Sequence, residues 1–377
     1  MYSSNKKTEL FFFGLPPSNP RILIPIASPA IQAGSFGLYS PCSIQGKIFK
    51  WLGKIAVRVG VLHMVGCACA RPVEAFKTTE TLEPILKTQI FNGLQNDWKA
   101  VLGRDEIFFA MSLGEPNLYR KATALIFDKS EKPVAFAKVA GTDQAKALIA
   151  NEAAALDKMS LLGCRSLAAP CFLGQGKTEN ISWILQTPLL RGRPSPNKLH
   201  KEHHAFLAEI AQRSIQTKVL EEDSFVRFIS TAHKRPALPM KTEFESERDF
   251  VEKLYYLLKA QNFDVPWPFT IAHGDFAPWN MRLVDGRLGL FDWEYCMPVA
   301  PAGWDLFYFV FRVDNLIKRH SLEQLWRSFE SGAYQETISV FEQAAGLMIP
   351  DKKFLAMMVL LALAFDFPAK KIAEVPA

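Results

Sequence analysis

Apolar and polar positions follow a strand-like pattern after residue 105. Three short runs, Ile107 to Met111, Tyr119 to Phe127 and Val134 to Val139, are rich in β-branched or apolar residues and are separated by polar turns. Strands joined by short turns predict an antiparallel meander. A helix is predicted from Gln144 to Leu162, because apolar residues recur along one side and Gly163 stands where a C-terminal cap is expected.

The second half of the chain is predicted to be mainly helical. Two further strands are expected near Cys171 to Leu173 and Ser182 to Gln186, and the polar connector Thr187 to Asn197 then looks like a link between two lobes. Later helices are predicted at His203 to Thr217, around Phe250 to Leu258, at Leu322 to Ala345 and at Lys352 to Ala364.

Residues 1–104 contain a mixed apolar region from Ile44 to Val65 and a plausible helix from Glu83 to Leu102. They contain no catalytic constellation, so they are interpreted as an accessory region of unknown role. The apolar stretches Ile55 to Ala70 and Leu355 to Phe365 are too interrupted or too short for a membrane-spanning helix of about 20 residues. Both are predicted to be buried core helices, and no stable membrane insertion is expected.

Composition agrees with a folded protein of two or three compact units. The 377 residues are 49% hydrophobic and 22% charged, which excludes a disordered or fibrous chain. The formal charge of +6 is mild and dispersed, so no nucleic-acid partner is expected. The six cysteines form no Cys-x-x-Cys pair, which indicates reduced thiols in a cytoplasmic protein. His200, His203 and His204 lack partners at ligand spacing and are predicted to be solvated.

A hairpin is predicted inside the segment TIAHGDFAPWNMRLVDGRLGLFDWE, residues 270–294. Asp285-Gly286 stands between two short apolar runs, and this dipeptide is typical of a two-residue hairpin turn. If these two residues form the turn, Val284 pairs with Arg287. The two ends of the segment are then brought together.

Candidate chemistry lies at the open end of this hairpin. Extending the pairing outward places Asn280 opposite Phe291, so Asn280 and Asp292 become near neighbours. An amide oxygen beside a carboxylate is a partial site for a hard cation such as Mg²⁺. Asp275 stands five residues before Asn280 and could accept the proton of a hydroxyl group.

Phosphoryl transfer to a hydroxyl group needs metal-bound phosphates, a carboxylate that accepts the proton, and a cation on the donor phosphates. Lys138 could supply the cation, since it ends the run Ala-Phe-Ala-Lys on the third strand of the meander. A lysine in that position needs a partner to hold it. Glu152, on the following helix, is the candidate.

The sequence here resembles a known family. The run HGDFAPWN at residues 273–280, followed by LFDWE at residues 290–294, looks like the signature of the aminoglycoside phosphotransferase and choline kinase family. That family is similar in fold to protein kinases. The resemblance implies an α+β, two-lobed protein-kinase-like fold with an N-terminal extension: residues 1–104 as the accessory region, 105–187 as a small β-rich nucleotide-binding N-lobe, and 188–377 as a larger helical C-lobe.

The resemblance also implies roles for single residues, with ATP (or GTP) and Mg²⁺ as cofactors. Asp275 would be the catalytic base, and Asn280 and Asp292 the metal ligands. Lys138 would bind the phosphates and Glu152 would be its ion-pair partner. Further nucleotide contacts would come from Ser112, Gly114 and Asn117 in a turn over the phosphates, and from Gln186 and Pro188 in the hinge facing adenine. Asp305 would brace the catalytic loop.

The expected function is transfer of the γ-phosphate to a hydroxyl group of a small molecule. An amino sugar, an amino alcohol and a sugar all remain open as acceptor, and the oligomeric state is left open. A non-catalytic nucleotide-binding or scaffold protein on the same fold is a second reading, disfavoured because Lys138, Asp275, Asn280 and Asp292 are all present. A protein kinase is a third, disfavoured because no Ala-Pro-Glu follows Asp292.

Overall fold

A computed structural model describes residues 11–15, 20–38, 44–61, 63–64, 69–76, 85–114, 117–178, 180–227, 240–365 and 367. The chain divides into two compact units. The first takes residues 1–150 and 171–188, and the second takes residues 151–170 and 189–376. The domain boundaries expected from the sequence, at residues 105 and 188, stay predictions.

Helices and strands occur together in the described residues, as the α+β class requires. The strands are β1 Phe11–Leu15, β2 Ile22–Pro25, β3 Arg71–Pro72, β4 Ile107–Ser112, β5 Lys121–Asp128, β6 Pro133–Ala140, β7 Leu167–Ala168, β8 Phe172–Lys177, β9 Ser182–Gln186, β10 Arg193–Pro194, β11 Gln216–Val219, β12 Pro266–Ala272, β13 Met281–Val284, β14 Arg287–Leu290 and β15 Met297–Pro301. The α-helices are α1 Pro29–Ser35, α2 Ile44–Arg58, α3 Thr88–Leu102, α4 Asp143–Leu162, α5 Lys201–Ser214, α6 Arg248–Lys259, α7 Trp304–Leu316, α8 Leu322–Glu330, α9 Gln335–Ala345 and α10 Lys352–Phe365.

The first unit is built on an eight-stranded sheet with the order β3-β1-β2-β4-β5-β6-β9-β8. The predicted meander β4-β5-β6 is confirmed, with antiparallel pairing throughout. Strands β1, β2 and β3 extend it at one edge. The N-terminal residues therefore contribute strands to the same sheet that carries the predicted nucleotide-binding strand β6.

Both faces of this sheet are covered, because successive side chains of a strand point to opposite sides. On one face Phe12 of β1 and Phe109 of β4 pack against Phe91 and Trp98 of α3, with ring centroids 5.1–5.7 Å apart. On the other face the next residue of β1, Phe13, belongs to a separate buried cluster with Phe36 and Val57. Each such buried aromatic pair adds about 0.5–1.5 kcal/mol beyond its burial.

The second unit combines helices with two small sheets, β10-β13-β14-β7 and β11-β12-β15. Helix α10 is buried along nearly its whole length and packs against α6, α7 and α8. Strand β12 pairs with β11 and β15 and leads directly into residues 273–275. These candidate site residues therefore begin at the end of a strand held on both sides.

Two predicted helices of this unit were wrong in extent. The predicted helix Leu322 to Ala345 is two helices, α8 and α9, because the chain turns at Gly332, whose φ of 85° lies in the left-handed region that favours glycine. The predicted helix His203 to Thr217 ends at Ser214, and Gln216–Val219 pairs with β12 instead. The continuous helical pattern was interrupted by a turn in the first case and by strand pairing in the second.

The prediction that both apolar stretches are buried core helices holds for only one of them. Residues 355–365 lie in the buried helix α10. In the stretch 55–70, by contrast, Val57 is buried beside Phe36, but Val59, Val61 and Met64, which follow the end of α2, are exposed. Among the described helices, none combines the length and apolarity that crossing a bilayer requires.

Candidate active site

The predicted hairpin forms with the predicted register. Asp285 and Gly286 have φ values of 50° and 77°, the left-handed conformation that a tight two-residue hairpin turn needs at both positions. Val284 pairs with Arg287. At the open end the backbone N–H of Phe291 donates to the carbonyl of Asn280 at 3.1 Å. The structure thus places Asn280 and Asp292 at adjoining positions.

Gly274 fixes the shape of the loop between β12 and this hairpin. Its φ is 83°, and a Cβ at this position would collide with the backbone carbonyl of Tyr295. Residues with a side chain rarely adopt this conformation, and here the space is also occupied. The loop can therefore pass close to the segment after Asp292 only because residue 274 is glycine.

Asp305, at the start of α7, holds the backbone of the same loop. Its carboxylate accepts hydrogen bonds from the backbone N–H groups of His273, at 2.6 Å, and Gly274, at 3.1 Å. The side chain is buried, and burial raises the pKa of Asp305 to about 7. The two donated hydrogen bonds act in the opposite direction, while the nearby charge of Asp275 raises the pKa further.

Asp275 is held by two side-chain donors, one to each carboxylate oxygen. The hydroxyl of Tyr308 donates to Oδ1 at 2.9 Å. The amide nitrogen of Asn280 donates to Oδ2 at 2.8 Å and to the backbone carbonyl of Asp275 at 3.0 Å. Because both bonds of Asn280 use its nitrogen, they leave the amide oxygen as an acceptor. Asp275 itself is only half-buried, so its orientation is fixed while access is kept.

His273 links the loop to the end of the hairpin. Its ring Nδ1 accepts from the backbone N–H of Asp275 at 3.3 Å, and its Nε2 lies 3.1 Å from the carbonyl of Phe291. One nitrogen must accept and the other donate, which is the pattern of a neutral imidazole protonated at Nε2. The ring also packs edge-on against Trp293 at 4.7 Å. His273 thereby ties the segment of Asp275 to that of Asp292.

A group of carboxylates lies beside the hairpin end. Glu152, Asp292 and Glu294 each offer an oxygen within 4.8 Å of the others, and Glu152 and Glu294 are buried. Asn151 positions them, since its amide nitrogen donates to the backbone carbonyls of Glu294 and Cys296, both at 2.9 Å. Asp292 adopts the left-handed conformation, with φ of 70°. The structure therefore brings Glu152 to the predicted metal ligand Asp292.

Lys138 lies in the first unit, in the middle of the sheet. It pairs with Thr123 on β5 and with Ile184 on β9, and it is only 5% exposed. A lysine is rarely so buried unless it is paired, which marks the position as unusual. Its predicted ion pair with Glu152 stays a prediction.

The predicted phosphate-covering turn is described only in part, since Glu115 and Pro116 lie outside the described residues. Ser112 is the last residue of β4, and Gly114 has a φ of 63°. Asn117 is exposed, and its side-chain oxygen accepts from the backbone N–H of Tyr119 at 2.9 Å. These three residues flank a turn, as expected, and their contact with phosphate stays a prediction.

The predicted hinge begins at the end of β9. Gln186 is the last residue of that strand and is buried, and its side-chain oxygen has no hydrogen-bond partner among the described residues. Pro188, two residues later, is half-buried. A buried acceptor without a donor costs free energy, which suits a position where a ligand donates the missing hydrogen bond.

Sequence reasoning missed several residues of the site. Tyr308 stands three residues after Asp305 on α7, a spacing that places both on one helix face and could have revealed it. Arg120 is buried and donates from Nε to the carbonyl of Leu113 at 2.7 Å, which closes the turn after β4. No local pattern indicated Asn151 or Arg120, because the side chains of both donate to backbone carbonyls. For Asn151 these carbonyls are distant along the chain, and for Arg120 the carbonyl lies across a turn.

The prediction that the histidine cluster is solvated was wrong for His203. This residue is fully buried, lies 2.8 Å from the hydroxyl of Ser195 through Nε2, and contacts the rings of Phe276 and Phe309. Burial lowers the pKa of His203 to about 4, so the imidazole is neutral near pH 7. Helix α5 buries this side of its first turn against the loop that carries Asp275, and the sequence spacing gave no sign of that packing.

Comparison with known proteins gives one match to a family. The model of the phosphotransferase enzyme family matches residues 131–337, which include the loop, the hairpin and the carboxylate group. Among curated proteins, no sequence matches the chain.

Solved structures similar to this chain include three phosphotransferases. A GDP complex of an aminoglycoside 2′-phosphotransferase IIIa variant has 12% identity and a TM-score of 0.47, covering 76% of this chain and 91% of that one. A type VIII aminoglycoside 3′-phosphotransferase has 18% identity and a TM-score of 0.43, covering 71% and 98%. A macrolide 2′-phosphotransferase from Brachybacterium faecium has 13% identity and a TM-score of 0.41, covering 76% and 99%.

Asp305 should make the stability of the protein depend on pH. Its pKa is about 7 in the folded state and near 3.8 when unfolded, so between these values the folded state binds the extra proton. The free energy of unfolding contributed by this group therefore falls as the pH rises from about 4 to about 7. The side chain of Asp305→Asn cannot titrate. Between pH 5 and pH 8, the free energy of unfolding in urea should therefore fall less in this variant than in the wild type, by on the order of 2–4 kcal/mol.

Asp264→Asn, a change at an exposed aspartate, serves as the control and should follow the wild type. An identical pH dependence in Asp305→Asn and the wild type would show that Asp305 does not carry a raised pKa in the folded protein.

Proposed function

Because the chain belongs to the phosphotransferase enzyme family, we propose that it transfers the γ-phosphate of ATP or GTP to a hydroxyl group of a small molecule. The observation that supports this reaction best is the environment of Asp275. One half-buried carboxylate has each oxygen held by a separate donor, and its neighbour Asn280 adjoins a group of carboxylates. A proton acceptor beside a cation site is what phosphoryl transfer to a hydroxyl group needs.

Asp275 acts as the base in this proposal. The bonds from Tyr308 and Asn280 fix the rotation of the carboxylate, so its remaining lone pairs have a set direction towards the acceptor hydroxyl. The acceptor oxygen loses its proton to Asp275 as its new bond to the γ-phosphorus forms, while the bond from that phosphorus to the bridging oxygen breaks and the nucleoside diphosphate leaves. Holding base and hydroxyl in this geometry removes much of the entropic cost of bringing them together.

The carboxylate group fits a hard divalent cation. Three carboxylates with oxygens within 4.8 Å of one another repel unless positive charge lies among them, and two of the three are buried. Oxygen ligands of this kind are those that Mg²⁺ prefers. Asn280 and Asp292 would hold the ion, with Glu294 beside them. When bound, Mg²⁺ neutralises charge on the phosphate oxygens.

The nucleotide is assigned to residues of the first unit. Lys138 supplies a buried positive charge for phosphate oxygens, with Glu152 as its ion-pair partner. The side-chain oxygen of Gln186 accepts a hydrogen bond from an amino group of the purine ring of the nucleotide, and Pro188 lies beside it. Ser112, Gly114 and Asn117 cover the phosphates. The buried acceptor of Gln186 and the burial of Lys138 support these roles.

The acceptor is a small hydroxyl compound of the cytoplasm, and an amino sugar, an amino alcohol and a sugar are all compatible with the site. Glu294 offers further negative charge beside the cation site, which suits an acceptor that carries an amino group. A panel containing all three compound classes separates these choices.

Asp275→Asn should slow phosphate transfer strongly while nucleotide binding persists. The amide keeps the shape of the side chain but cannot accept the proton, so turnover should fall by about 10²–10⁴-fold. ATP consumption is measured against a panel of amino sugars, amino alcohols and sugars, with Asp264→Asn as the control. Phosphate must appear on a hydroxyl group of the compound consumed.

Two results would contradict this reaction. Magnesium-dependent nucleotide binding without turnover on any acceptor would indicate a scaffold protein. Phosphate on protein side chains, with none on the small molecules, would indicate a protein kinase.

Tyr308→Phe should lower kcat by about tenfold and leave the KM for nucleotide unchanged, because it removes one hydrogen bond to the charged base. Tyr334→Phe is a matched control. Tyr334 is equally buried and donates to the carboxylate of Asp314 at the same distance, 2.9 Å, away from Asp275. Steady-state kinetics with any active acceptor measure both variants, and equal kcat values for the two would remove Tyr308 from the positioning of the base.

A further inference from the structure

Helix α2 presents apolar side chains to solvent. Ile48 is 51% exposed, Trp51 62% and Leu52 52%, and Val59, which follows the last residue of the helix, is 66% exposed. The N–H of Val59 still donates to the carbonyl of Ile55 at 3.0 Å, so the helical path continues to it. Exposed apolar residues in a contiguous group mark an interaction surface more often than scattered ones do.

These residues lie on one side of the helix. At 3.6 residues per turn, Ile48, Trp51, Leu52 and Val59 fall within an arc of roughly 100°. The opposite side packs on other residues of the first unit: Val57 is buried with Phe36, and a Cβ at Gly53 would collide with the Phe36 ring. The exposed face is therefore held outward by a close packing contact on the other side.

Positive charge accompanies this face. Lys54 and Arg58 are exposed and lie along one edge of it. From Leu10 to Val73 the sequence contains no aspartate or glutamate, whereas it contains Arg21, Lys47, Lys50, Lys54, Arg58 and Arg71. Among the described residues, α1 and the turn at Phe36 make the most extensive contacts with α2, and neither carries an acidic side chain that would oppose the field.

We propose that α2 binds the surface of an anionic lipid bilayer. A helix with an outward apolar face, a tryptophan on that face and basic residues at its edge is typical of helices that lie in the membrane interface. The apolar side chains enter the boundary between headgroups and acyl chains, while Lys54 and Arg58 contact lipid phosphates. The proposal concerns residues outside the candidate active site and is independent of the phosphotransfer reaction.

A membrane fits this surface better than a protein partner. The exposed face is the convex side of a single helix and carries charge of one sign, which matches an extended anionic plane. With 15 residues, α2 is too short to span a bilayer and lies along its surface instead. Binding along the surface is compatible with the expectation from the sequence that the protein does not insert stably into a membrane.

The test is flotation of the full chain with vesicles. Vesicles of phosphatidylcholine with phosphatidylserine should carry the protein to the top of the gradient, and pure phosphatidylcholine vesicles should carry more than about tenfold less. Binding should weaken as the salt concentration rises, because salt screens the attraction. Absence of binding to the anionic vesicles, or equal binding to both kinds, would overturn the proposal.

Variants with matched controls localise the effect. Trp51→Glu should lose vesicle binding, whereas Leu161→Glu, a change at another exposed apolar residue on α4 (88% exposed), should retain it. The double variant Lys54→Glu with Arg58→Glu should bind anionic vesicles more than about tenfold more weakly. The double variant Lys129→Glu with Lys132→Glu makes the same change of charge in an exposed turn of the first unit. This control should bind anionic vesicles as the wild type does.

Folding of each variant is checked by far-UV circular dichroism and by its thermal unfolding midpoint, both of which should match the wild type because the changed residues are exposed. If Trp51→Glu is folded and still floats with anionic vesicles, the proposal fails. It also fails if the wild type ignores vesicles but forms a dimer that Trp51→Glu dissolves, since the face would then bind a second copy of the chain.

Discussion

The carboxylate of Asp305 holds the loop on which the candidate active site depends. It accepts the backbone N–H groups of His273 and Gly274, and Gly274 alone can make the close passage by Tyr295. The same helix that carries Asp305 also carries Tyr308, which orients the side chain of Asp275. One helix start therefore fixes both the backbone of the loop and the direction of the Asp275 carboxylate. Burial disfavours the charged form of that carboxylate and raises its pKa, and the two hydrogen bonds oppose this effect because they stabilise the charged form.

The loop and the hairpin then act as one framework. Asn280 donates to Asp275 and begins the hairpin, and the hairpin returns the chain to Asp292. His273 joins the two ends through Phe291. Because these hydrogen bonds join residues within one stretch of the sequence, residues 273–292, local structure holds Asp275, Asn280 and Asp292 together. Within the group of three carboxylates found among the described residues, Glu152 comes from the distant helix α4.

This locality explains how much the sequence could predict. The turn at Asp285-Gly286, the register of the hairpin and the meander follow from local patterns, and the family match confirms the α+β, protein-kinase-like class. Features set by tertiary contact were not predictable. The N-terminal strands give weak signals alone and are stabilised by pairing with the meander. The burial of His203 depends on a packing partner some seventy residues away. Asn151 acts on backbone carbonyls, which no side-chain pattern reveals.

The most direct test of the account is the effect of Mg²⁺ on ATP binding, measured by titration calorimetry on the full chain. If Asn280 and Asp292 form the cation site, Mg²⁺ should strengthen ATP binding in the wild type and in the exposed control Asp264→Asn. Asp292→Asn should lose that gain and bind ATP about equally with and without Mg²⁺. The same gain from Mg²⁺ in Asp292→Asn as in the wild type would contradict the account.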